Sequence, residues 1–143
     1  MPLTIHLSEV VDEIITKVKG LAVFENRVYY GDVTMIAAFP TVTVEGESLN
    51  REFSGAMTRT DNNFRVFLMV YHARIADAHF TQRAADQMRE TVVDLLHTDI
   101  RLNERVLSSI VTAQEPGIAR MGNDLLRASR ISWTGYNKTG LQG

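Results

Sequence analysis

The sequence predicts an α+β domain, a mostly antiparallel sheet with a long hairpin, packed by two helices on one face. Two stretches, 8–19 and 81–97, repeat apolar residues at helical spacing. Two others, 51–60 and 64–74, are patterned as strands on either side of Asp61-Asn62-Asn63, residue types that tolerate a left-handed hairpin turn. A length of 143 residues suits one domain with its own core.

In the first helix Val10, Val11, Ile14, Ile15 and Val18 form the apolar stripe. Ser8 is its expected N-cap, and Gly20 stands just past its end. Glu9, Asp12 and Glu13 near the start and Lys17 and Lys19 near the end suit the helix dipole. Residues 21–31 are short and aromatic, reading as a strand or an irregular turn. Pro40 then opens a strand in which Val42 and Val44 share a face, and residues 46–50 are expected to turn.

The hairpin follows. Arg51, Phe53, Gly55, Met57 and Arg59 lie on one face of its first strand. In its second strand Val66, Leu68 and Val70 alternate with Phe67, Met69 and Tyr71, so both faces are apolar at its centre. A helix must cover one face and something else the other. Thr81 caps the second helix, whose inner stripe is Ala84, Ala85, Met88, Val92, Leu95 and Leu96. Residues 99–104 are a polar connection, 106–113 a strand, 114–117 a Pro-Gly turn, and 131–133 the centre of a last strand. Residues 118–130 fit either period, and the tail from Tyr136 is expected to be loose. The whole chain, 1–143, is read as one domain.

The absence of cysteine removes disulfides, thiolate metal sites and cysteine nucleophiles. Residues 1–8 lack the pattern of a secretory leader and no apolar run approaches membrane-spanning length, so a soluble cytosolic product with no membrane partner is expected. A net charge of −2 gives no bulk attraction to nucleic acid. Lysine occurs only at positions 17, 19 and 138, every other base being arginine, whose planar fork suits interfacial ion pairs; the codon bias of a GC-rich genome accounts for the same usage.

No catalytic, cofactor or metal residues are assigned. His72 with Arg74 and His79 with Asp77 lie near a strand end, where a histidine more often caps or is solvated than catalyses. His97 and Asp99 at the end of the second helix are read as helix-terminal groups before metal ligands. There is no Gly-x-Ser-x-Gly elbow and no phosphate loop. Arg120, Arg127 and Arg130 with Trp133 beyond them form the one basic stretch, but Asp124 and the acidic balance of the chain speak against specific nucleic-acid binding.

The order of elements, with Phe-Pro-Thr-Val-Thr-Val-Glu at 39–45 and Val-Val-Asp-Leu-Leu-His-Thr-Asp at 92–99, resembles the tail terminator proteins of long-tailed bacteriophages across nearly the whole chain. The resemblance implies a structural subunit, not an enzyme. Such a subunit forms a homo-oligomeric ring, a hexamer, that caps the tail tube at its head-proximal end, stops its polymerisation and meets the head connector. It implies assembly in a host cytoplasm and residence in the virion tail, with the tail tube protein and the head-tail connector protein as partners. A strand apolar on both faces and the arginine usage are compatible with that expectation, and Arg51, Phe53, Met57, Arg59 and Arg65 of the hairpin are the candidate interface. A neck adaptor ring is the alternative within the same biology. A small enzyme or ligand-binding domain, with a pocket lined by His72, Asp77 and His79, is the alternative outside it.

Overall fold

The structure, a computed structural model, describes residues 5–31, 36, 38–53, 59–77 and 79–140. Helix α1 spans Leu7–Lys19 and buries the five residues of the expected stripe. It starts one residue ahead of Ser8, with His6 at the cap position and no side-chain capping bond. A 3-10 turn over Ala22–Phe24 buries Phe24 and leads into strand β1, Val28–Tyr30.

Strands β2, Thr41–Phe53, and β3, Arg59–Arg74, form the long hairpin. It is longer than its sequence suggests. The turn expected at 46–50 lies inside β2 as a bulge between Gly46 and Ser48, where Glu47 is the extra residue. The turn expected at Asp61-Asn62-Asn63 lies inside β3, opposite Glu52, Arg51 and Asn50. Tertiary partners override local turn preference there: Asn62 is buried beside the Thr60 hydroxyl, and Asp61 accepts a 3.0 Å hydrogen bond from the Tyr136 hydroxyl. The reversal itself falls within 54–58, outside the described residues.

Helix α2 spans Gln82–Thr98, and the Thr81 Oγ1 accepts the Ala84 N–H at 3.1 Å, as a Ser/Thr cap should. Strands β4, Ser108–Met121, and β5, Asp124–Gly140, close the fold as a second hairpin. Its turn uses Gly122 at φ +62°, so the undecided stretch 118–130 is strand, turn, strand. The Pro-Gly pair expected to turn at 116–117 instead sits within β4, which is an edge strand and tolerates proline's missing N–H. The tail expected to be loose from Tyr136 is paired as far as Gly140, against Arg59–Asn63.

The sheet order is β1-β2-β3-β5-β4, antiparallel except for β1 beside β2. Both helices pack on one face, α1 over β1 and β2 and α2 over β4 and β5. The core between them holds Phe24, Phe64, Val66, Leu68, Ile131 and Trp133. Tyr71, Leu126 and Ala128 form a smaller cluster with Ile36, and Phe39 and Met69 pack against it. The second apolar face of β3 is therefore covered at that end from within the subunit.

Candidate interaction surface

Beyond that cluster the second face of the sheet is open and polar among the described residues. It forms a groove of about 820 Å³ lined by residues of β2, β3, β4 and β5. Its charged residues are Glu47, Glu52 and Glu115 against Arg51, Arg65 and Arg130, so the formal charges cancel. The bulge turns Glu47 toward Arg130, 4.0 Å away, and the Arg130 guanidinium lies over the Phe67 ring at 4.4 Å. Asn63, Ser132 and Thr134 add neutral hydrogen-bonding groups. Past them the Tyr136 hydroxyl donates to Asp61, and Lys138 stands 4.0 Å from the same carboxylate. The Asp61 charge and burial together hold the Tyr136 phenol above its ordinary value, burial contributing most.

The hairpin residues proposed from sequence divide between the two faces. Arg65 is exposed on β3, opposite Ser48 and Thr134, and lines the groove. Arg51 and Phe53 pair with Asn62 and Thr60, which puts their Cβ atoms on the other face. The long Arg51 still contributes to the groove wall, and Phe53 is 65% exposed near the hairpin tip. Arg59 pairs through its backbone with Gly140. Met57 lies outside the described residues, as does the side chain of Arg59.

Two sheet edges frame this surface. At one, β1 pairs with only Val42–Val44, leaving the outer side of β2 without a strand from Glu45 onward among the described residues. At the other, β4 exposes Ile110 and Ile118. Pro116, Glu115 and Arg120 on that strand are the residue types that keep an edge from pairing indiscriminately.

The basic stretch Arg120, Arg127, Arg130 and Trp133 does not form one surface. Trp133 is buried, Arg130 faces the open groove, and Arg127 lies against α2, donating to Gln82. His97 and Asp99 are separately engaged as well: the His97 Nε2 accepts the Val111 N–H at 3.1 Å, and Asp99 meets Lys17 at 2.7 Å and the Asn103 N–H at 2.8 Å. Among the described residues no group of three His, Asp or Glu is placed to hold a metal ion.

His72, Asp77 and His79 do not share one environment. Asp77 accepts the His79 N–H on the surface, whereas His72 is buried under α2. There its Nε2 lies 2.8 Å from the Ser129 Oγ, its Nδ1 3.4 Å from the Met88 sulfur, and its ring against Phe80. Sequence reading missed this Ser-His contact, which joins residues 57 positions apart. In an activated Ser-His pair a carboxylate orients the imidazole, while a thioether takes that place here. Burial, then the Arg89 and Arg127 charges, lower the His72 pKa to about 4. The contact fills a polar hole in the core and is closed to solvent on both sides.

Comparison with protein-family models and with curated proteins finds no match to this sequence.

Proposed function

We propose that the protein is a ring-forming structural subunit that caps a bacteriophage tail tube, halting its growth and presenting a surface to the head connector. The observation that carries the reading furthest is the charge-balanced groove between two sheet edges that no further strand covers among the described residues. A groove with as many carboxylates as guanidiniums attracts neither a polyanion nor a polycation in bulk. It suits a protein surface of complementary pattern, where charge selects partner and register. Edges of unlike length and sequence favour a head-to-tail contact between copies, the kind that closes into a ring. The resemblance in element order to tail terminators points the same way.

The test is genetic and visual. Electron microscopy of particles assembled without this protein should show tails of uncontrolled length. Leaky heads lacking tails would replace the reading with a neck adaptor, and unchanged particles would remove both. Native mass spectrometry of the purified protein should give a closed oligomer, six copies being the expected number.

A further inference from the structure

On the helical side of the sheet, the first turns of α2 and the β4–β5 hairpin enclose a second cleft, of about 440 Å³. Its polar wall is Gln82, Asp86, Arg89 and Arg127, and its other wall is Pro116, Gly117 and Ile118. The charges do not balance. Asp86 is already engaged through its Oδ1, which takes the Gln82 amide at 2.9 Å and the Arg89 guanidinium at 2.9 Å. Arg89, 12% exposed, spends its remaining reach on Gln114 and Ser129. Arg127 donates one Nη to Gln82 and has no carboxylate partner among the described residues. Its buried Nε–H has no acceptor. The cleft thus holds one uncompensated guanidinium beside an apolar wall, on which Ile118 is 67% exposed and Gly117 faces open space.

We propose that this cleft binds a carboxylate on the Nη end of the Arg127 fork, with its carbon stem against Pro116 and Ile118, and that an acidic side chain of a neighbouring copy supplies it. A single negative charge offsets the single excess positive one, whereas a phosphate dianion would meet Asp86 with charge to spare. Guanidinium and carboxylate match as planar partners with two parallel hydrogen bonds. The apolar wall rewards a ligand that carries methylenes behind its charge. The assignment to a neighbour rests on the ring reading; the carboxylate site itself does not.

Butyrate is the probe, added to full-length protein below its assembling concentration, with chloride at equal ionic strength as the control. At tenfold its Kd it should raise the melting temperature by roughly 3–6 °C. Arg127→Gln should abolish the shift. Arg120→Gln, an exposed arginine on β4 outside the cleft, should keep it. Arg127→Lys, which keeps the charge but loses the fork, guards against a Gln variant that fails to fold, and should bind at least tenfold more weakly. No saturable shift, or the same shift in the parent and both Arg127 variants, overturns the site. Native mass spectrometry then separates the sources. Loss of the oligomer in the Arg127 variants, with their cooperative melting kept, supports the neighbour's carboxylate. An oligomer that both variants leave intact overturns the neighbour and leaves a free carboxylic acid as the occupant. A parent that is monomeric at every concentration, yet shifts with butyrate, sinks the ring and retains the site.

Discussion

Leu102, Asn103 and Glu104 hold φ values of 47°, 52° and 64°, a left-handed turn of three consecutive non-glycine residues. Each such residue sits about 1–2 kcal/mol above its right-handed alternative. Two anchors hold the turn in place, the burial of Leu102 and the Asp99 carboxylate, which accepts the Asn103 N–H while pairing with Lys17. Those bonds, the Lys17 contact foremost, hold the Asp99 carboxyl below the usual carboxylate range. Glu104 is exposed. Glu104→Gly should therefore stabilise the protein by about 0.5–1 kcal/mol, visible as a higher denaturant midpoint at unchanged slope. Gly135 is the opposite case. A Cβ there would stand 2.4 Å from the buried Trp133 ring, so Gly135→Ala should destabilise by about 1–3 kcal/mol. At Gly46 a Cβ would stand 2.7 Å from the Cδ2 and 2.8 Å from the Cγ of Leu7, a half-buried side chain at the start of α1 that can shift, and Gly46→Ala should be milder. His72 sets a pH dependence. Its neighbours are Arg89 and Arg127, which oppose its protonation, and Asp86, which favours it. In the unfolded chain it takes a proton near pH 6.5, in the folded one only near pH 4, so the unfolded state gains stability as pH falls through that window. Stability should be fully present above pH 6.5 and decline toward pH 4, with about one proton taken up on unfolding. In His72→Gln that proton uptake should disappear from denaturation curves measured across the window.

At the scale of elements, the helix positions were legible in the sequence and the strand ends were not, although α2 buries Val93 outside its expected stripe and leaves Ala84, Met88 and Leu95 only half-buried. A 3.6-residue stripe reports burial directly, and all five stripe residues of α1 are buried. The Thr81 cap was legible for the same local reason; Thr81→Ala should cost about 1 kcal/mol by thermal unfolding. Turn residues misled wherever distant partners outbid them. Asp61-Asn62-Asn63 is held straight by Tyr136, 75 residues away, and Pro116-Gly117 by an edge position that no short window reveals. The candidate interface was legible only in part. Arg65 and Arg51 look alike in sequence, yet register puts their Cβ atoms on opposite faces. The Arg127 cleft left no local trace, because α2 and β5 bring Gln82 and Arg127 together across 45 positions.

For the whole molecule, the open groove and free edges set the expectations. Phe53, 65% exposed, contributes little to the isolated subunit's stability. Phe53→Glu should leave its melting within about 0.5 kcal/mol of the parent and weaken assembly, measured by native mass spectrometry. Unfolding of the isolated variant would place Phe53 in the subunit's own core instead. The order β2-β3-β5-β4 also carries a hidden repetition. Each half of the chain is one helix followed by one hairpin, α1 before β2–β3 and α2 before β4–β5, and the halves meet antiparallel along β3 and β5. In order and direction the elements of the two halves correspond across those two strands, β1 apart, although the sequence shows no repeat. The chain passes from one half to the other through the short link between Arg74 and Gln82. A chain cut in that link keeps every rung of the ladder from Arg59–Gly140 to Arg74–Leu126. Two separately expressed fragments divided there should recombine into the native sheet, as two near-equivalent modules dimerising within one protein.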